Sequence, residues 1–120
     1  MSDYRLGQIE ARFADIIWEH QPLSSSELVC LCLEELNWKK STTYTVLRRL
    51  CERGIFVNDN SVVKALISRE EFYARQSEEF IEDSFKGSLP AFLAAFTKNK
   101  SLSQEDVNEI RRMIDSYEEG

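Results

Sequence analysis

Lys39, Lys40, Ser41, Thr42, Tyr44, Thr45, Arg48 and Arg49 put hydroxyls and cations into one short stretch, WKKSTTYTVLRRLCERG. Side chains on a helix step about 100° per residue. A helix over 41–53 therefore turns Ser41, Tyr44, Thr45, Arg48 and Glu52 to one side and Thr43, Val46, Leu47 and Leu50 to the other, the side a core would take. Short hydroxyl side chains near a helix N-terminus, backed by arginine and lysine, suit a helix laid in the major groove of a duplex. Lys39 and Lys40 then meet phosphates at the groove edge, while Ser41, Thr42, Tyr44 and Thr45 face bases and the near backbone. Arg48 is placed for a guanine or a phosphate, and Arg49 for a flanking phosphate.

The chain as a whole carries a net charge of −6, which argues against nucleic acid until its distribution is considered. Residues 1–67 hold a net charge of −1 and residues 68–120 a net charge of −5. Within 39–53, five cations face Glu52 alone, a local +4. Phosphate binding depends on where the positive face lies rather than on the total. The acidic second half is no DNA surface. A solvated helix face is the commoner meaning of a charge run, but the hydroxyl-rich turn and the hairpin after it point away from that meaning here.

Other chemistries find little support. His20 is the lone histidine and closes a helix beside Pro22, a surface or capping position. No Ser/His/Asp or Cys/His pair is close in sequence. Gly7, Gly54, Gly87 and Gly120 are too scattered for a phosphate loop. Cys30 and Cys32 lie about 200° apart on a helix, so they cannot share one ion. With Cys51 they read as small buried or half-buried apolar residues, reduced in a cytoplasmic protein. No metal, cofactor or catalytic group is expected. Trp18, on an apolar helix, and Trp38, at a tight turn, read as packing rather than base stacking.

With 120 residues, 42% hydrophobic and 30% charged, the chain is folded, as one small domain or as a compact domain with an appended helical piece. No apolar run nears the roughly 20 residues that span a bilayer, and MSDYRLGQIEARF lacks the features of a signal peptide. The periodicity predicts six helices and one hairpin. The first helix runs from Gln8 to about His20. The second, from Ser25 to Leu36, opens on the Ser24–Glu27 capping box. The third is the basic helix, stopped by Gly54. Ile55–Val57 and Val62–Ile67 flank the turn residues Asn58 to Ser61, with Lys64 as a candidate phosphate contact on the hairpin. Three helices and a hairpin at this spacing make a winged helix-turn-helix. Helices from about Ser68 to Lys86, around Pro90 and after Ser103 follow. The fold class is mainly α, with a winged helix over 1–68 and a helical part over 69–120.

That second half is too small to bury all its apolar stripes within one chain. Leu93, Phe96, Val107, Ile110, Ile114 and Tyr117 are expected to line a two-fold interface with a second copy.

LGQIEARFADIIWEH, LSSSELVCLCLEELNWKKSTTYTVLRRLCERGI and FKGSLPAFLAAFTKNKSLSQEDVNEIRRMID together resemble the penicillinase-repressor family, the BlaI/MecI type of transcriptional regulators, over nearly the full length. The resemblance implies a homodimeric repressor on a dyad-symmetric operator in double-stranded DNA, released when a membrane sensor peptidase cuts the C-terminal part. Carried onto this chain, the cut falls between Ala95 and Phe96. Ala95 stands where the family often has Asn, and the hairpin carries one lysine and one aspartate where the family often has a basic or aromatic wing. The rival reading, from a different class, is a winged-helix adaptor that binds protein instead of DNA. Salt separates the two, since phosphate binding weakens steeply as counterions compete.

Overall fold

The computed structural model describes residues 4–119, and the side chains up to Glu118. The elements run α1 (Gln8–His20), β1 (Leu23–Ser24), α2 (Ser25–Leu36), α3 (Lys40–Glu52), β2 (Phe56–Asp59), β3 (Val62–Ala65), α4 (Arg69–Phe85), α5 (Leu89–Asn99) and α6 (Gln104–Glu119). This is a mainly α winged helix-turn-helix followed by further helices, as the spacing predicts. The chain divides into two compact units, the first ending at Glu79 and the second beginning at Phe80, so the division falls inside α4.

Local chemistry sets the element ends. Ser24 Oγ accepts the Glu27 amide at 3.0 Å, Ser68 Oγ the Glu71 amide at 3.1 Å and Ser103 Oγ the Asp106 amide at 3.0 Å. Each satisfies one of the N–H groups that a helix start leaves without a partner. Asn37, left-handed at φ 57°, ends α2 and turns the chain toward α3. Gly54, at φ 79°, closes α3: its amide bonds Cys51 O at 3.0 Å while the Ile55 amide reaches Leu50 O at 3.1 Å. This is the Schellman pattern, which the left-handed glycine permits.

The sheet has one strand more than the periodicity predicts. The two-residue β1 pairs antiparallel with β3, Leu23 opposite Val63 and Ser24 opposite Val62, giving the order β1-β3-β2. Two residues are too few to show alternation, so this strand leaves no pattern in the sequence. The β2 strand also runs on to Asp59, opposite Val62. That leaves Asn60 and Ser61 as a two-residue turn, both at positive φ (50° and 67°). Two central residues with positive φ match the right-handed twist of a hairpin.

The first unit holds the core. Phe13 and Ile17 of α1, Leu28 and Cys32 of α2, Leu47 and Leu50 of α3, Phe56 and Val63 of the sheet and Phe72 of α4 are buried together. Trp18 lies across Phe56 and Phe72, with ring centroids 5.4 and 5.6 Å apart, and donates from Nε1 to Ile67 O. Trp38 stacks on Phe13 at 5.3 Å. Both tryptophans are packing residues. Cys32 is buried and Cys51 half-buried, whereas Cys30 is exposed, against the expectation of a buried or half-buried thiol. It sits on α2 two residues before the buried Cys32 and therefore on another face of the helix.

In the second unit Phe80, Phe85, Phe92 and Phe96 form a chain of edge-on and tilted rings, with centroids 5.6–6.1 Å apart. No residue of α5 is fully buried. Among the described residues, no helix is long and apolar enough to cross a membrane.

Candidate nucleic-acid interface

Helix α3 buries Thr43, Val46, Leu47 and Leu50 against the core, so its other side is presented outward by packing rather than by chance. Lys39, Lys40, Ser41, Thr42, Thr45, Arg48 and Arg49 are all exposed. Lys39 ends the turn after Asn37, and Lys40 opens the helix. Four amides at a helix start lack internal acceptors and carry the positive end of the helix dipole. The lysines and the two small hydroxyls of Ser41 and Thr42 therefore surround a point that already favours an anion.

The hydrogen bonds sort these residues. Among the described residues, the side chains of Lys39, Lys40, Ser41, Thr42 and Arg48 have no bonded partner and are available to a ligand. Thr45 Oγ1 donates to Ser41 O at 2.9 Å, which leaves its lone pairs as acceptors. Arg49 is engaged elsewhere: its Nη1 lies 3.1 Å from Glu10 Oε2 and ties α3 to α1. Glu10 Oε1 in turn accepts the Gly7 amide at 3.2 Å. Tyr44 is half-buried at the flank of the outward face, and its hydroxyl donates to Ser25 Oγ at 3.2 Å. The side chain of Lys64 points out of β3 between the buried Val63 and half-buried Ala65.

A cleft of about 360 Å³ separates α3 from β2, lined by Tyr44, Leu47, Arg48, Cys51, Phe56 and Asn58 among others. Burial pushes the Cys51 thiol up from its ordinary value, so it is neither a ready nucleophile nor an anion at neutral pH. Burial pushes the Cys32 thiol up to about 11. Among the described residues no group of His, Cys, Asp and Glu is arranged to hold a metal ion. His20 is exposed, and its Nδ1 donates to Ile16 O at 2.9 Å at the end of α1.

The second unit carries a different surface. Leu89 and Leu93 of α5 and Ile110, Met113, Ile114 and Tyr117 of α6 line an apolar groove of about 700 Å³. Met113 is 64% exposed and Tyr117 88%. Four of the six residues expected at a two-fold interface thus come together here. The other two do not: Phe96 tilts against Phe92 in the ring cluster, and half-buried Val107 is not among the groove residues. Leu89 and Met113 were not expected in this surface. Their signal was spacing alone, Leu89 one turn before Leu93 and Met113 one turn before Tyr117. Ala95 and Phe96 are both exposed and lie inside α5.

Comparison with known proteins agrees with this architecture. The chain is 24% identical over 115 residues to the methicillin resistance regulatory protein MecI of Staphylococcus aureus, covering 92% of this chain and 94% of that protein. It is 21% identical over 117 residues to the penicillinase repressor of Bacillus licheniformis, covering 94% and 91%. A MecI of Mammaliicoccus sciuri is 23% identical over 115 residues, covering 92% and 94%. Residues 6–116 match the penicillinase repressor family as a whole, and the chain belongs to that family of transcriptional repressors.

Proposed function

We propose that this repressor works in the cytoplasm as a homodimer on a dyad-symmetric operator, reading double-stranded DNA with α3. The observation that carries the reading is the exposed α3 surface, where Lys39, Lys40, Ser41, Thr42 and Arg48 stand over a buried stripe with no internal partner. Arg48 reaches a base or clamps a phosphate. Lys39 and Lys40 meet the backbone at the helix start, and Thr45 accepts from a base amino group. Arg49 and Lys64 supply flanking phosphate contacts, Arg49 at the cost of its pair with Glu10.

The groove between α5 and α6 is the dimer seat in this reading, because six large apolar side chains, four of them exposed, are covered most simply by a second copy of the same surface. A membrane sensor peptidase that cuts Ala95–Phe96 would leave Leu89 and Leu93 on one fragment and Ile110, Met113, Ile114 and Tyr117 on the other. The bond lies in a helix, so the peptidase must first open it locally.

Footprinting on the DNA upstream of the protein's own gene, with affinity measured across salt, tests the reading. A protected site with two-fold symmetry and a steep salt slope is the expected result. Salt-insensitive behaviour with no protected site would favour the protein-binding adaptor instead.

A further inference from the structure

Ser25 is 5% exposed and sits at the first position of α2, just after the β1 strand. Its amide is one of those a helix start leaves without an internal acceptor. Here it donates to Ser61 O in the hairpin turn at 2.8 Å. Its Oγ accepts from the Tyr44 hydroxyl of α3 at 3.2 Å. One small buried residue therefore joins three elements: the wing turn, the start of α2 and the recognition helix. Tyr44 itself is half-buried and packs against the core, which leaves its hydroxyl facing a protein acceptor rather than open solvent.

From this geometry we infer that Tyr44 and Ser25 are positioning residues that brace the recognition helix to the wing, so that Ser41, Thr42 and Arg48 on α3 and Lys64 on β3 meet a duplex as one body. The inference rests on the DNA-reading surface proposed above and changes the part Tyr44 plays in it. Its hydroxyl acts through Ser25 rather than on a base. A hydrogen bond held in a water-poor site keeps more of its strength than one in solvent. The wing is also short, with a two-residue turn, and gains its fixed position from its ties to its neighbours. Without the Tyr44 hydroxyl α3 is released from Ser25, and the Ser25 to Ser61 link, no longer backed from α3, opens more readily. Base contacts need fixed geometry and suffer from such a loss, whereas diffuse phosphate attraction does not.

The test compares Tyr44→Phe, Ser25→Ala and the double variant on two probes, a duplex selected from a randomised library by the wild-type protein and a random duplex. Thermal melting checks that each variant folds. Tyr44→Phe is expected to weaken the selected duplex about two- to tenfold, the worth of one hydrogen bond, and to leave the random duplex unchanged. Ser25→Ala should give a similar loss, and the double variant little more than either. Lys64→Ala should cost less in the Tyr44→Phe background than in wild type. Losses that add in the double variant would overturn the inference, since the hydroxyl would then touch DNA directly. So would an unchanged selected-duplex affinity in Tyr44→Phe. Amide hydrogen exchange at Ser25, measured without DNA, should speed up in Tyr44→Phe, and no change there also overturns the brace. A wild-type protein that binds no duplex in a salt-dependent way would sink the DNA reading alone, with the exchange measurement still deciding the brace.

Discussion

Arg48 and Arg49 are adjacent on α3 and carry the same charge, yet the structure assigns them different energetics. Arg48 is exposed, and among the described residues it has no partner, so Arg48→Ala should change folding stability by no more than about 0.5 kcal/mol, the usual range for a surface substitution. If Arg48 pairs with a guanine edge, the same change should cost about 1–3 kcal/mol of operator binding and relax specificity at one base pair. Arg49 lies 3.1 Å from Glu10, with side chains 55% and 23% exposed. A pair so open to water contributes about 0.2–1 kcal/mol to stability. Arg49→Ala should therefore destabilise the fold slightly, and its effect on DNA should be smaller than that of Arg48→Ala and equal for all sequences. Glu10→Gln frees Arg49 and removes a carboxylate near the duplex, so it should tighten random-duplex binding. Melting curves and affinities for operator and random duplex, measured across salt, supply every quantity. A larger loss of selectivity in Arg49→Ala than in Arg48→Ala, or weaker random-duplex binding in Glu10→Gln, would refute these roles for the two arginines.

Three further outcomes are expected. Ile110→Asp places an unpaired carboxylate in the apolar groove, which costs any assembly that covers it more than the roughly 2–7 kcal/mol of a buried neutral polar group, and sedimentation should report monomers at concentrations where wild type is dimeric. A chain ending at Ala95 should keep a cooperative melt and its random-duplex affinity while losing the avidity of paired half-sites, about 10²- to 10⁴-fold; operator binding equal to that of the full chain would dismiss cleavage at this bond as the release step. Native alkylation should modify exposed Cys30 first and buried Cys32 last. Because burial holds the Cys32 thiol protonated from 9.0 up to about 11, its contribution to stability is intact below pH 9 and declines as pH rises toward 11, a decline that pH-dependent melting should find reduced in Cys32→Ala.

Much of the architecture was readable because it is set by neighbours in sequence. Ser24 with Glu27, Ser68 with Glu71 and Ser103 with Asp106 each mark a helix start, and Gly54 marks a stop that only a left-handed residue makes. The buried stripe Thr43, Val46, Leu47 and Leu50 follows from helical spacing alone, and it fixes which side of α3 faces outward. What could not be read involves partners far apart in the chain. Glu10 and Arg49 meet across 39 positions, and Tyr44 and Ser25 across 19. Helical spacing turns Tyr44 to the outward face with Ser41 and Arg48, and only the position of α2 half-buries it and brings its hydroxyl to Ser25. The same limit applies to the groove: the stripe on α6 was visible, but which side of α5 meets it was not, so Phe96 was expected where Leu89 is found.

The placement of the two surfaces bears on how a repressor of this kind can be switched. The candidate DNA contacts lie between Lys39 and Lys64, in the unit that holds the buried core, and the apolar groove lies in the unit beginning at Phe80. A single DNA-binding domain gains tight operator binding mainly by being linked to a second one, since each half-site alone offers few contacts. If the groove seats the dimer, as proposed, control of the groove is control of the operator, without any change in the residues that read it. The groove has two walls on successive helices joined through residues 100–103, and Ala95–Phe96 lies between the last groove residue of the first wall, Leu93, and the first of the second, Ile110. A cut anywhere from 94 to 109 separates the walls. In the proposed switch the required feature is thus the interval rather than the residue at the bond, so Ala95 in place of Asn would leave the consequence of a cut there intact.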